Sequence, residues 1–183
     1  MDKHFWKDAY KEFWEISSQK EIFIKNLIEK ETELKVHEIG LGAGSDAFIT
    51  GNAKDNNFEK GDADLYVEGV EAFIEVTGPN IPMPSEATLW FRPDKLNNTY
   101  KKLNNGKGKL HILVHIQEVR GSGEKLIRGI NLNSDFFARA KAGAFQTITK
   151  NIRGRDERYV EIVSTDKSII SIGEIIDLLK KEK

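Results

Sequence analysis

Gly61-Asp62-Ala63-Asp64-Leu65-Tyr66-Val67-Glu68-Gly69-Val70-Glu71-Ala72-Phe73-Ile74-Glu75-Val76-Thr77-Gly78 is the stretch around which the rest of the chain is organised. Residues 65–67 and 72–76 are rich in β-branched and aromatic side chains, and Glu68-Gly69 between them reads as a tight turn, glycine supplying the positive φ. A two-residue turn sets Val67 opposite Val70. Tyr66 then faces Glu71, Asp64 faces Phe73, Asp62 faces Glu75 and Lys60 faces Thr77. Strand side chains alternate, so Lys60, Asp62, Asp64, Glu75 and Thr77 share one face, while Leu65, Val67, Ala72, Ile74 and Val76 share the other and form core.

Carboxylates gathered on one face of a hairpin repel one another, and a divalent cation relieves that repulsion. All-oxygen ligands suit Mg²⁺ or Mn²⁺ rather than zinc. Asp62, Asp64 and Glu75 are the candidate metal ligands. The plain alternative is an acidic, solvated sheet edge. Against it, apolar residues flank Glu75 on both sides and imply a strand held within a sheet.

At 183 residues the chain reads as an N-terminal aromatic helix over residues 1–18, serving packing or a homodimer contact, and an α/β domain over residues 19–183. The absence of cysteine excludes a disulfide scaffold and cysteine-based zinc sites. No apolar run approaches the roughly 20 residues of a membrane span, so no membrane partner and a cytoplasmic location are expected. The formal net charge is -1, but its distribution is uneven. Residues 92–158 carry 15 Lys and Arg against 6 Asp and Glu, and the remainder carries 13 against 23. A basic segment following an acidic hairpin suits a phosphodiester substrate, DNA or RNA, although folding can mix segment charges.

Along the chain, Phe5, Trp6, Tyr10, Phe13 and Trp14 recur at helical spacing. Ser17-Ser18 reads as the start of a second helix over residues 19–30, with Glu21 in its first turn, where the helix dipole favours an acid. A strand is expected over residues 35–41, then a long polar loop over residues 44–60. Prolines make residues 78–84 an extended connector. Residues 89–91 form a short apolar run, and Pro93 opens a helix to about residue 103. Residues 110–116 are a strand buried on both faces. His111 and His115 within it read as satisfied sheet histidines, since no third nitrogen ligand is in view. A turn at residues 121–123, a helix over 136–143, a strand over 159–163 and a helix over 172–181 complete the chain. Arg153, Arg155 and Arg158 cluster around Gly154, which suits a phosphate backbone and equally a solvated loop.

The order helix, strand, acidic hairpin, helix, buried strand, helix is an α/β sandwich around a mixed sheet. With Asp64, ten intervening residues and then Glu75-Val76-Thr77, it resembles the restriction-endonuclease-like PD-(D/E)XK nucleases. That family has an aspartate opening its second strand, an acid-x-lysine on the third and a preceding helix that carries a glutamate. Glu21 matches that glutamate, and residues 110–116 match the core strand that follows. The resemblance spans about residues 19–116. Ala63 stands where the family has proline, and Thr77 stands where it has the motif lysine.

The resemblance implies a restriction-endonuclease-like mixed sheet flanked by helices and a Mg²⁺- or Mn²⁺-dependent nuclease. Asp64 and Glu75, with Asp62 and the Thr77 main-chain oxygen, would hold the metal. Either catalysis is weakened or lost, or another residue supplies the cation: Lys60 first, since it faces Thr77, then Lys95 or Lys102 on the following helix. Lys95, Lys102, Arg153 and Arg155 are the expected contacts to a nucleic-acid backbone. Two other readings stand beside this one. Gly44-Ser45, Asp62-Ala63-Asp64 and Glu75 also resemble the polymerase-β-type nucleotidyltransferases, although the gap from Gly-Ser to the acids is long. The third reading, motivated by Thr77, is an inactive nuclease fold used to bind nucleic acid or protein.

Overall fold

A computed structural model describes residues 3–39, 63–152 and 154–183. Helix α1, Lys3–Thr32, opens the chain as one continuous element of 30 residues. The break expected at Ser17-Ser18 does not occur. No glycine or proline lies within these residues, and a serine inside a helix costs only about 0.5 kcal/mol against alanine. The helix ends where Glu33 turns to φ 60. No described helix is long and apolar enough to cross a membrane.

Three antiparallel strands follow: β1, Val36–Glu38; β2, Leu65–Val67; and β3, Ala72–Thr77. The chain then runs through β4, Leu89–Phe91, and helix α2, Pro93–Asn104, before entering β5, Leu110–Glu118, parallel to β3. A parallel pair needs such a long crossover, and α2 supplies its helix. Strand β6, Lys125–Asn131, pairs antiparallel with β5 across the expected turn, and β9, Ile169–Ser171, pairs with β6. The main sheet therefore runs β1-β2-β3-β5-β6-β9. A second sheet, β4-β8-β7, is built from β4, β7 (Gln146–Ile152) and β8 (Arg155–Ile162). Helix α3, Ser134–Lys141, is capped by Asn133, whose side chain accepts a hydrogen bond from the Phe136 N–H. Helix α4, Ile172–Lys181, starts in a Ser171–Glu174 capping box.

The β2–β3 connection differs from the expected tight turn. The pairs are Leu65 with Ile74, Tyr66 with Phe73, and Val67 with Ala72, so the loop is the four residues Glu68-Gly69-Val70-Glu71. Val70 is the reason: it is fully buried in the core rather than standing opposite Val67. Burying such a side chain is worth roughly 1.5–3 kcal/mol. Gly69 (φ 88) and Glu71 (φ 49) take the left-handed backbone conformations that let the chain loop over it. The register moves by two residues, so every side chain keeps its expected face.

Strand β5 is buried on both faces, as its apolar run implied. One face joins Ile112 and Val114 to Leu65, Val67, Ala72 and Ile74 beneath Ile24 and Ile28 of α1 and Ile175 and Leu179 of α4. The opposite face carries Leu113 into a second cluster with Leu89, Phe91, Leu96, Phe136 and Ile162. The architecture is mixed α/β, with the main sheet between a helical layer and a layer made of α2, α3 and the second sheet. Gly78 closes β3 at φ 141, and a Cβ there would collide with the Ile116 carbonyl of β5.

Candidate active site

Asp64 sits one residue before β2, held by its backbone and by its side chain. Its carbonyl accepts from the Ile39 N–H at 2.9 Å, and its Oδ2 accepts from the Val76 N–H at 2.8 Å. It is 6% exposed. Because the hairpin register is shifted, Asp64, rather than the expected Asp62, stands level with Glu75. The two carboxyl groups are close enough to hydrogen-bond when Glu75 carries a proton and donates it to Asp64. Glu75 lies on β3 beside Leu113 of β5, between core residues, as expected for a strand inside a sheet.

Lys95 comes from the first turn of α2. Pro93 presets the helical φ at its start, and Arg92 grips Asp94 through two hydrogen bonds of 3.0 and 3.1 Å. The Lys95 ammonium lies 2.9 Å from Glu75 Oε1 and 3.0 Å from Oε2. Lys95 was expected both as a substitute for the motif lysine and as a backbone contact; the structure seats it among the acids. Glu21 of α1 completes the group, close enough for its charge to be felt by Glu75 and to feel that of Asp64.

The electrostatics are those of crowded, poorly solvated acids. Burial, the charge of Asp64 and that of Glu38 push the Glu21 carboxyl up to about 8. Burial and the Asp64 charge push Glu75 up to about 8 as well. Burial raises Asp64, partly offset by Lys95 and by the hydrogen bonds from Val76 and Glu75. Burial alone would depress Lys95, but Glu75 and Asp64 outweigh it and hold the ammonium charged. Among these described groups Lys95 opposes three acids, and their surplus is met by protons or by a further cation. Among the described residues no three His, Asp or Glu groups converge as a ready-made metal cage. The fitting donor set is the adjacent pair Asp64 and Glu75, hard oxygen ligands of the kind Mg²⁺ and Mn²⁺ take.

The other expected residues are placed as follows. Lys60, Asp62 and Arg153 lie outside the described residues, as do Gly44 and Ser45. Thr77 shares the Glu75 face and pairs with His115 of β5. Lys102 lies over the Phe73 ring at 5.1 Å. Ala63, Phe73, Glu75, Lys95, Lys102 and His111 line one small cavity. Arg155, whose side chain is not among those described, opens β8 in the second sheet, on the β7–β8 hairpin.

Two features had no expectation in the sequence. Glu38 of β1 adds a fourth acid to the surroundings of Glu21. A buried polar network also pins the connector leading toward α2: Arg128 donates to Gln117 Oε1 at 2.5 Å and to the Ala87 carbonyl at 2.9 Å, and Gln117 donates to the Pro84 carbonyl at 2.8 Å. The histidines divide. His111 Nε2 meets the Lys107 carbonyl at 2.9 Å, as a satisfied sheet histidine should. His115 corrects the expectation: its buried Nδ1 has no hydrogen-bond partner among the described residues. Burial and the Arg128 charge depress it to about 3, so the ring is neutral.

Comparison with known proteins returns no matching family model, no matching curated protein and no matching solved structure, so the reading of this site rests on its own residues.

Proposed function

We propose that this chain is a metal-dependent phosphodiesterase of the restriction-endonuclease-like kind, acting on DNA or RNA. The observation that carries the reading is the Lys95 ammonium on Glu75, beside Asp64 and within electrostatic reach of Glu21. Thr77 leaves the motif lysine missing from β3, and α2 delivers a lysine to the same acid from a position twenty residues further along the chain. The order of elements supports the reading too: a helix with Glu21, a three-strand meander with Asp64 and Glu75, a crossover helix, then a strand parallel to the third.

Asp64 and Glu75 would hold Mg²⁺ or Mn²⁺. When bound, such an ion neutralises the acids, polarises a phosphoryl oxygen and acidifies a water. The protein's own residues do the rest. The Val76 N–H and the Ile39 N–H fix Asp64, so its carboxyl group has one orientation. Lys95 holds positive charge where a phosphorane-like transition state gathers negative charge. Glu21 carries a proton near neutral pH and can donate it beside the site. Lys102 offers backbone charge at the mouth of the same cavity.

The test is cleavage of supercoiled, linear, single-stranded and branched DNA, and of RNA, with Mg²⁺ or Mn²⁺, comparing wild type with Glu75→Ala and Lys95→Ala. Cleavage by wild type that both variants lose supports the reading. No cleavage of any substrate overturns it. A second reading, an inactive fold used for binding, is favoured by Thr77 and by the engagement of both Glu75 oxygens by Lys95. It predicts nucleic-acid binding that ignores Mg²⁺. Incorporation of nucleoside triphosphates would instead point to the transferase.

A further inference from the structure

One row of the main sheet is made of rings. His37, Tyr66, Phe73 and His111 are successive register partners on β1, β2, β3 and β5. Ring centroids are 6.4 Å apart for His37 and Tyr66, 5.2 Å for Tyr66 and Phe73, and 5.5 Å for Phe73 and His111, the last pair stacked at 10°. Phe73 is two residues from Glu75 on β3, so the row shares the face of the acids, about 7 Å from their row.

The two ends of the row differ. Phe73 and His111 are 5% and 3% exposed. Lys102 and Lys107 lie over Phe73 at 5.1 and 6.0 Å, and the His111 ring is tied to the Lys107 carbonyl. Gly108 passes so close that a Cβ there would sit 2.6 Å from the Phe73 ring. These inner rings are locked. Tyr66 is half-buried, and the His37 side chain is 38% exposed, its Nε2 2.8 Å from Glu68. The outer rings are therefore the end of the row that solvent reaches, and the inner rings back them. Glu68 and Glu71 line the turn side, and Lys102 and Lys107 lie on the α2 side, so a polyanion beside the rings would run along the lysines.

We infer that this row is a stacking platform for an unpaired base, which makes single-stranded nucleic acid, or a single-stranded segment of a branched one, the substrate class. The inference rests on the phosphodiesterase reading of the neighbouring acids. Bases inside a duplex already stack on one another and gain nothing from Tyr66. An unpaired base gains a ring partner, and its phosphate lies toward Lys102. An aromatic row beside a lysine-lined cavity is the combination that binding of single strands uses.

The experiment measures anisotropy of labelled oligothymidylate, oligouridylate and a hairpin duplex, with Ca²⁺ replacing Mg²⁺, for wild type, Tyr66→Phe, Tyr66→Ala and His37→Ala. Cleavage of the same substrates in Mg²⁺ is followed in parallel. Circular dichroism identifies any variant that fails to fold, and the exposed His37→Ala variant carries the test if Tyr66→Ala does. Tyr66→Ala should weaken single-strand binding about tenfold, with Tyr66→Phe near wild type and duplex binding unchanged. His37→Ala should weaken it by a smaller factor in the same direction. Equal losses on duplex and single strand, or no loss on the single strand, overturn the platform. Ring-dependent single-strand binding without cleavage leaves the platform standing and removes the phosphodiesterase reading. Cleavage of duplex with no preference for single strands does the reverse.

Discussion

Lys95 and Glu75 are twenty residues apart in the chain, and the lysine ammonium sits 2.9 and 3.0 Å from the two oxygens of the glutamate. Their side chains are 29% and 14% exposed, so the pair is shielded but not sealed. Removing the cation leaves Glu75 and Asp64 without their counter-charge. Lys95→Met should cost about 2 kcal/mol in urea unfolding, less than for a fully buried pair because Lys95 keeps partial solvent access. Cleavage should fall by about 100-fold or more, with substrate binding less affected.

The carboxylates should trade stability for activity. Burial and mutual repulsion raise Asp64 and Glu75, so each is a cost to the metal-free fold when ionised. Asp64→Asn and Glu75→Gln keep the shape and remove the charge. Both should lose cleavage by about 1,000-fold or more while melting at or above the wild-type temperature at pH 8 in EDTA. A large drop in melting temperature for Glu75→Gln would show instead that the ion pair with Lys95 dominates.

The pH dependence follows from the same groups. Glu21 and Glu75 sit at about 8 in the fold, raised by burial from an unfolded value of 4.5. Between those values the folded state binds more protons than the unfolded one, so stability falls as pH rises and levels off above about 8. His115 works the other way: depressed to about 3 from 6.5, it costs stability as pH falls below 6.5. The decline is therefore cleanest from pH 7 upward. Melting curves in EDTA should show it, Glu21→Gln should flatten it, and Mg²⁺ should reverse it by stabilising the ionised acids. A flat profile in wild type would contradict the buried-acid cluster.

Gly78 ends β3 in a conformation, φ 141, that only glycine takes readily, and a Cβ there would meet the Ile116 carbonyl of the neighbouring strand. Gly78→Ala should cost about 3 kcal/mol or more, through strain added to steric overlap. The loss should appear as a lower denaturant midpoint and lower cleavage. An unchanged midpoint would mean that the β3–β5 edge can relax.

Much of the site could be read before folding. Alternation along residues 65–67 and 72–76 determined which side chains share a face, and it survived a wrong turn length because a slip of two residues preserves parity. The apolar run of β5 determined a strand buried on both sides, and Pro93 determined where α2 begins, because φ is fixed by the ring. Strands β6, β7 and β9 were not legible: Arg128 and Gly129 interrupt the apolar pattern of β6, Lys150 and Asn151 that of β7, and β9 is only three residues long, so each is defined by the strand it pairs with rather than by propensity. Tertiary structure also decided which acid stands level with Glu75: burying Val70 lengthened the turn and set Asp64 there. Lys95 reached Glu75 by the same kind of decision, because the direction of a helix is set by what its far side packs against, here Leu96 in the second core cluster. Local chemistry named the acids, and long-range packing chose their cation.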